Sequence, residues 1–279
     1  MPRFSVAGHC VVRCEPCDLE WVFPSPSLES IASVYSTGYF QGSGAGYSSY
    51  FESERASNQR KAQHRLLRLK ELGARAGQRL LDIGAADGTF VAAALAAGFD
   101  AYGVEVSNDA HDAAAAELRP RLLRNLEQAS AIGPFEVVTL WDVLEHLPDM
   151  DGTLRQLARV LHTGGLMGLV VPVIDNWNAR NDPLSWDQYK PPEHLSYFSS
   201  RSLCALLQTR VGPVVHQEPA WTRYARRFGV SSESKTRLRA LLAYFEEGAF
   251  RIAASLGAVN RANFLDSLLV VARASDVRR

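Results

Sequence analysis

The sequence predicts a doubly wound α/β domain, and three observations carry that reading. From residue 79 onward, short apolar runs of strand length alternate with helical segments. The runs are apolar on both faces, as in a parallel sheet covered by helices on both sides. The chain is also long enough, at 279 residues with 47% hydrophobic and 22% charged, to bury one large core. Thirty Lys plus Arg balance thirty Asp plus Glu, so no global charge favours nucleic acid or an anionic membrane. The 20 glycines and 13 prolines are an ordinary globular level, which excludes a collagenous or low-complexity chain. The longest apolar stretches, residues 91–98 and 166–173, fall far short of the roughly 20 residues that span a bilayer. The start, Met1-Pro2-Arg3-Phe4, lacks the apolar core of a signal peptide. The expectation is a cytoplasmic protein with no membrane partner and no nucleic-acid partner.

Taken in order, residues 1–51 are rich in Cys, Pro, Gly, Ser and Tyr and poor in helical periodicity, which predicts a small irregular N-terminal module. Residues 52–72 read as an amphipathic helix with Leu66 and Leu69 on its apolar face and Gly73 as its stop. Strands are expected at 79–83, 101–106, 121–124, 137–143 and 166–171, with helices at 88–97, 108–118 and 150–161 between them. A long loop over 174–198 holds Trp177, Trp186, Tyr189 and Tyr197, and loops of this length in compact domains are usually functional. A helix at 200–209, a strand at 214–218, a basic helical insertion at about 223–257 and a last strand at 267–272 complete the chain. The domain reading is a 1–51 module followed by a 52–279 cofactor-binding domain that carries the insertion.

The segment with the most chemical content is Leu80-Leu81-Asp82-Ile83-Gly84-Ala85-Ala86-Asp87-Gly88. It places a strand, a tight turn of small residues and a helix start in succession, and such a turn lets backbone approach a ligand closely. A nicotinamide dinucleotide fingerprint needs a third glycine where Thr89 stands. The spacing instead fits D-x-G-x-(G/A)-x-G, and it resembles the first motif of class I S-adenosylmethionine-dependent methyltransferases. Further segments match that family. Glu105, about 23 residues after Asp82, ends the second strand where an acid can accept hydrogen bonds from both ribose hydroxyls. Leu126-Glu127 follows the third strand. The run from Phe135 to Leu147 resembles the fourth motif, and Gly164-Gly165 resembles the turn into the fifth strand. The subgroup carrying E-H-L-x-D and P-E-H-L-x-Y-F-S is the nearest in pattern, through Glu145-His146-Leu147-Pro148-Asp149 and Pro192-Glu193-His194-Leu195-Ser196-Tyr197-Phe198-Ser199.

The resemblance implies a Rossmann-like sandwich of seven strands, mostly parallel, with the last strand inserted antiparallel. It implies S-adenosylmethionine as cofactor, held by Asp82, Gly84, Ala85, Ala86, Gly88, Glu105, Val106, Leu126, Glu127, Trp141 and Asp142. Ala86 departs from the glycine that many members carry. The sulfonium methyl is already activated, so the protein has mainly to align the reactants and exclude water. No metal is expected for that transfer. The acceptor is read as a small molecule or glycan precursor, methylated on O, N or C. A hydroxyl or acidic carbon acceptor needs a base, and His194 and His146 are the candidates. His146 is equally a structural element of the turn after the fourth strand. A cofactor-binding subunit without turnover is one alternative. A nucleic-acid methyltransferase is another, disfavoured by the neutral charge and by Asp142-Val143-Leu144-Glu145 where N-P-P-Y or D-P-P-Y would stand.

The remaining features divide between function and structure. Trp177, Trp186 and Tyr189 either stack on an acceptor or anchor the loop. Tyr35, Tyr39, Phe40, Tyr47 and Tyr50 are candidates for a lid over the cofactor. Cys14-Glu15-Pro16-Cys17 resembles half of a zinc ribbon, but Cys10 and His9 lie too close in sequence to form a second knuckle, so zinc is not expected. The other histidines, His9, His64, His111, His162 and His216, are expected at the surface or locally bonded. Arg223, Arg226, Arg227, Lys235, Arg237 and Arg239 read as a solvated helical face.

Overall fold

The computed structural model describes residues 1–34, 55–220 and 267–275. The proposed lid aromatics and the basic insertion lie outside these residues. No helix among the described residues is long and apolar enough to cross a membrane.

The chain opens with three strands, β1 (Pro2–Val6), β2 (His9–Arg13) and β3 (Glu20–Phe23), then two helices, α1 (Leu28–Val34) and α2 (Arg55–Glu71). The alternating series follows as β4 (Arg79–Ile83), α3 (Thr89–Ala96), β5 (Asp100–Val104), α4 (Asn108–Ala113), β6 (Leu122–Leu123), α5 (Leu126–Ile132), β7 (Phe135–Trp141), α6 (Met150–Val160) and β8 (Leu161–Pro172). After β8 come α7 (Trp177–Asn181), β9 (Ser196–Tyr197), α8 (Ser200–Arg210), β10 (Val214–Pro219) and β11 (Ser267–Arg273).

Seven strands form the main sheet in the order β10-β11-β8-β7-β4-β5-β6. Strands β8, β7, β4, β5 and β6 run parallel. β11 lies antiparallel between β8 and β10, which is the Rossmann-like arrangement expected of the last strand. The period of two along each strand divides the core. Leu268, Val270 and Ala272 of β11 share a buried cluster with Leu154 and Leu157 of α6 and Leu203 and Leu207 of α8. Leu269 and Val271 join Leu66 and Leu69 of α2 and Val91 and Ala94 of α3 on the opposite face. Both faces of the sheet are therefore covered, as the two-sided apolar runs require.

Several boundaries differ from the sequence reading. α4 stops at Ala113, five residues early, and the chain passes into a 3₁₀ turn at Arg119–Arg121, where Pro120 lacks the amide a helix needs. β6 is reduced to two residues at the sheet edge. α5 was not expected; Asn125 caps it by accepting from the Gln128 amide at 2.9 Å.

The N-terminal segment, expected to be irregular, is a regular sheet. β1, β2 and β3 pair antiparallel, and β9, from the long loop, adds a fourth strand through Glu20↔Tyr197 and Trp21↔Ser196. Short strands around a two-residue turn at Ala7-Gly8 gave the sequence too little periodicity to show this. The segment is bound to the loop by a buried charge. Glu20 is fully buried and accepts from Arg3 Nη1 at 2.5 and 2.7 Å and from the Tyr189 hydroxyl at 2.6 Å. Arg3 Nη2 donates to the Ala179 carbonyl at 2.7 Å. Removing one partner of such a pair leaves an uncompensated charge. Glu20→Ala should therefore cost about 3–5 kcal/mol in urea denaturation. The Arg3→Ala/Glu20→Ala double variant should cost less than the sum of the two single variants.

Candidate functional site

Strand order reverses at β4, whose successor β5 lies on one side while β7 lies on the other. In open α/β sheets, ligands bind outside the carboxyl ends of the strands at such a point. The turn leaving β4 occupies it, with Gly84 at φ +68°, Ala86 at +49° and Gly88 at +78°. A Cβ on Gly84 would sit 2.5 Å from Val143 Cγ2, so the turn from β4 and the segment after β7 approach too closely for any larger residue. Ala86 holds a left-handed conformation that L-residues adopt at a cost of about 1–2 kcal/mol.

Glu105, just past β5, is 7% exposed. Its Oε2 accepts from the Ala86 amide at 2.9 Å and its Oε1 from the Ser107 amide at 2.7 Å. The neighbouring Val106 is 77% exposed, a large apolar side chain in solvent beside a buried acid. Asp82 is buried and accepts from Thr139 Oγ1 at 2.6 Å. Its carboxyl is pushed up to about 7, chiefly by burial, with the Thr139 hydrogen bond and the Arg65 charge opposing. Leu126, half-buried, and Glu127, exposed, begin α5. The Trp141 ring packs edge-on against Phe90 at 5.2 Å, within the apolar layer under α2 and α3. Asp142, at φ +57°, pairs with Arg65 at 3.0 Å.

Sequence reasoning missed Arg65. It shares the α2 face of Ala62, Leu66 and Leu69, lies over the Trp141 ring at 4.8 Å and reaches the end of β7. An arginine on an otherwise apolar stripe was the available signal. His111 was expected to be locally bonded, and it is: its Nε2 bonds the Glu105 carbonyl at 3.0 Å.

The two histidine candidates meet each other. Glu145 and His146 lie on a 3₁₀ turn after β7, at Leu144–His146, and His194 comes from the long loop. The two segments are joined by the Leu195 amide donating to the Glu145 carbonyl at 2.8 Å. The imidazole rings stand edge to face with centroids 4.6 Å apart. His194 Nδ1 bonds the Gln188 carbonyl at 3.0 Å, and His146 Nδ1 bonds the Glu193 carbonyl at 2.8 Å. Because a carbonyl only accepts, both Nδ1 atoms carry protons, which leaves Nε2 as the ring atom that faces away from these bonds. Burial holds the His146 pKa below its usual value, against the opposing Glu193 carbonyl bond. The Gln188 carbonyl is thus the partner that orients His194, a contact no sequence spacing could reveal.

Trp186 and Tyr189 are buried against the N-terminal sheet with Val11 and Val22, so these two rings anchor the loop. Cys14 and Cys17 lie in the turn between β2 and β3 as free thiols, with Cys10 on β2. A bond from Cys17 draws the Cys14 pKa down, and burial pushes Cys17 up.

The family and the fold are shared with known proteins. The family described as "Methyltransferase domain" matches residues 53–212, more than half of the chain, and the chain belongs to it. S-adenosylmethionine-dependent methyl transfer is the class of chemistry that membership assigns. No curated protein matches the chain. Among solved structures, phosphoethanolamine N-methyltransferase 2 of Haemonchus contortus, in complex with S-adenosyl-L-methionine, has TM-score 0.57 and 16% identity, covering 92% of this chain and 62% of that one. Magnesium protoporphyrin IX methyltransferase of Synechocystis PCC 6803 has TM-score 0.52 and 16% identity, covering 89% and 99%. The cyclase SpnF has TM-score 0.51 and 18% identity, covering 78% and 81%. At these identities the likeness defines the fold, and a cyclase among the neighbours shows that the fold alone does not define the reaction.

The backbone of Ala86 and the buried carboxyl of Asp82 both bear on stability. Ala86→Gly should raise stability by about 1 kcal/mol in chemical denaturation, because glycine adopts positive φ without the steric cost. The folded Asp82 pKa of about 7 lies above the ordinary 3.8, so the folded state holds a proton that the unfolded state has lost. The stability this provides is complete below the unfolded pKa and disappears as pH rises through the folded one. The denaturation midpoint of cofactor-free protein should fall across that window, and Asp82→Asn should flatten the decline.

Proposed function

We propose that this chain transfers the methyl group of S-adenosylmethionine to a small-molecule or glycan-precursor acceptor held under the 174–198 loop. The observation that carries the reading is the Glu105 carboxylate closed onto the left-handed turn at the switch point, with exposed Val106 beside it. An ionised carboxylate offers about four acceptor sites, and two are used by backbone amides, so two remain for ribose hydroxyls. Glycines at 84 and 88 leave room for a ligand against backbone. These residues fit the cofactor.

In this reading Asp82, Gly84, Ala85, Ala86 and Gly88 line the methionine and ribose side, and Asp142 borders it from β7. Trp141 supports it from beneath. Val106, Leu126 and Glu127 border the adenine. The cofactor supplies an activated methyl on sulfur. The chain's own part is to bind and orient it, to exclude water with the long loop, and to activate the acceptor at His194 and His146. The division into 1–51 and 52–279 belongs to the same proposal, supported by a family match that begins at residue 53.

Glu105→Ala should weaken S-adenosylhomocysteine binding by about 2 kcal/mol in calorimetry, since hydrogen bonds to a charged group contribute roughly 1.5–3 kcal/mol. Unchanged affinity would remove Glu105 from the site. His194→Asn should lower turnover by roughly 10²–10⁴ while leaving cofactor affinity nearly intact. Full turnover in that variant would assign His194 to structure alone.

A further inference from the structure

We propose that Glu145, His146 and His194 form a binding site for a divalent first-row transition-metal ion where the turn after β7 meets the 174–198 loop. One ligand atom from each of the three lies within 4.8 Å of the others. Glu145 is 1% exposed and His194 2%. His146 Nε2 stands 4.0 Å from Glu145 Oε1.

The arrangement of the rings supports the assignment independently of that convergence. Metal-ligating histidines donate their other ring N–H to a carboxylate, backbone carbonyl or water, which fixes the tautomer and the ring orientation. Both imidazoles here do this through Nδ1, to the carbonyls of Gln188 and Glu193. With Nδ1 held by a carbonyl, Nε2 is the ring atom left to turn toward an ion. The Leu195 amide bond to the Glu145 carbonyl locks the two ligand-bearing segments together, so the donor set is held by backbone from both sides.

The donor set selects the ion. Two imidazole nitrogens and one carboxylate oxygen suit zinc, iron(II), manganese or cobalt, whereas calcium and magnesium favour sites made of oxygen. Metal–ligand lengths of about 2.0–2.2 Å place two ligands of one ion within about 4 Å of each other, so small side-chain rotations complete the site. Three protein ligands leave positions open, the pattern of catalytic rather than structural centres. A cation there lowers the pKa of a hydroxyl it coordinates, which is what an alcohol acceptor needs. Only this last consequence rests on the methyl-transfer reading, and in it the ion takes the Nε2 atoms and replaces the two imidazoles as the group that activates the acceptor.

The test uses full-length protein stripped with a chelator and titrated with cobalt(II). A visible d–d absorption saturating at one ion per chain, with a rise in thermal midpoint, is expected. Both should disappear in Glu145→Gln and in His194→Asn. Both should persist in the Cys14→Ser/Cys17→Ser variant, which separates this site from the cysteine turn. Circular dichroism identifies any variant that fails to fold, and His146→Asn, at the most exposed ligand, then replaces it and should weaken cobalt binding at least tenfold. Absence of a cobalt response in the wild type, a response unchanged in the ligand variants, or one abolished by the cysteine changes would each overturn the proposal. S-adenosylhomocysteine calorimetry on metal-free protein reports separately on the methyl-transfer reading. Loss of that binding would sink the cofactor assignment while leaving the cobalt result intact.

Discussion

The Glu105 carboxylate is the point on which the site depends. One oxygen takes the Ala86 amide from the β4 turn and the other takes the Ser107 amide at the start of α4. A single side chain thus fixes the exit of β4 relative to the exit of β5. Parallel strands place successive turns at the same edge but do not set their relative conformation. Here that setting comes from charge-assisted bonds. The backbone follows: Gly84 and Ala85 donate to the Val104 carbonyl at 2.8 and 3.1 Å, and Ala86 is held at a positive φ that its own side chain disfavours.

Much of this was legible in the sequence. Two-sided apolar strands gave the parallel sheet, and the acid-glycine spacing gave the turn, because both are local patterns with a direct physical cause. Strand β4 was read to the residue, since a charged residue, four apolar or acidic ones and a glycine bound it sharply. What stayed hidden was non-local. The pairing of β3 with β9 joins residues about 176 positions apart in sequence, and neither strand has more than four residues. The Gln188 and Glu193 carbonyls that orient the imidazoles are backbone atoms, which any residue type supplies. Arg65 was hidden for a different reason: its chemistry is visible only once α2 is known to lie over the end of β7.

The second dependency runs through Glu20. A fully buried carboxylate is expensive unless it is paired and hydrogen-bonded, and here Arg3 from β1 and Tyr189 from the long loop meet that requirement. Tyr189, Trp186 and Tyr197 then pack edge to face on one another. The loop that carries His194 is therefore supported by an apolar floor from the first two dozen residues of the chain.

That floor constrains how the loop itself can change. A loop resting on solvent can be exchanged by itself, but this one shares a strand ladder, a buried carboxylate and an aromatic stack with the amino-terminal hairpins. Grafting residues 174–198 from another protein would strand Glu20 and Arg3 without Tyr189 and Ala179. The two segments form one interchangeable cassette, so that a replacement of the loop has to bring the beginning of the chain with it.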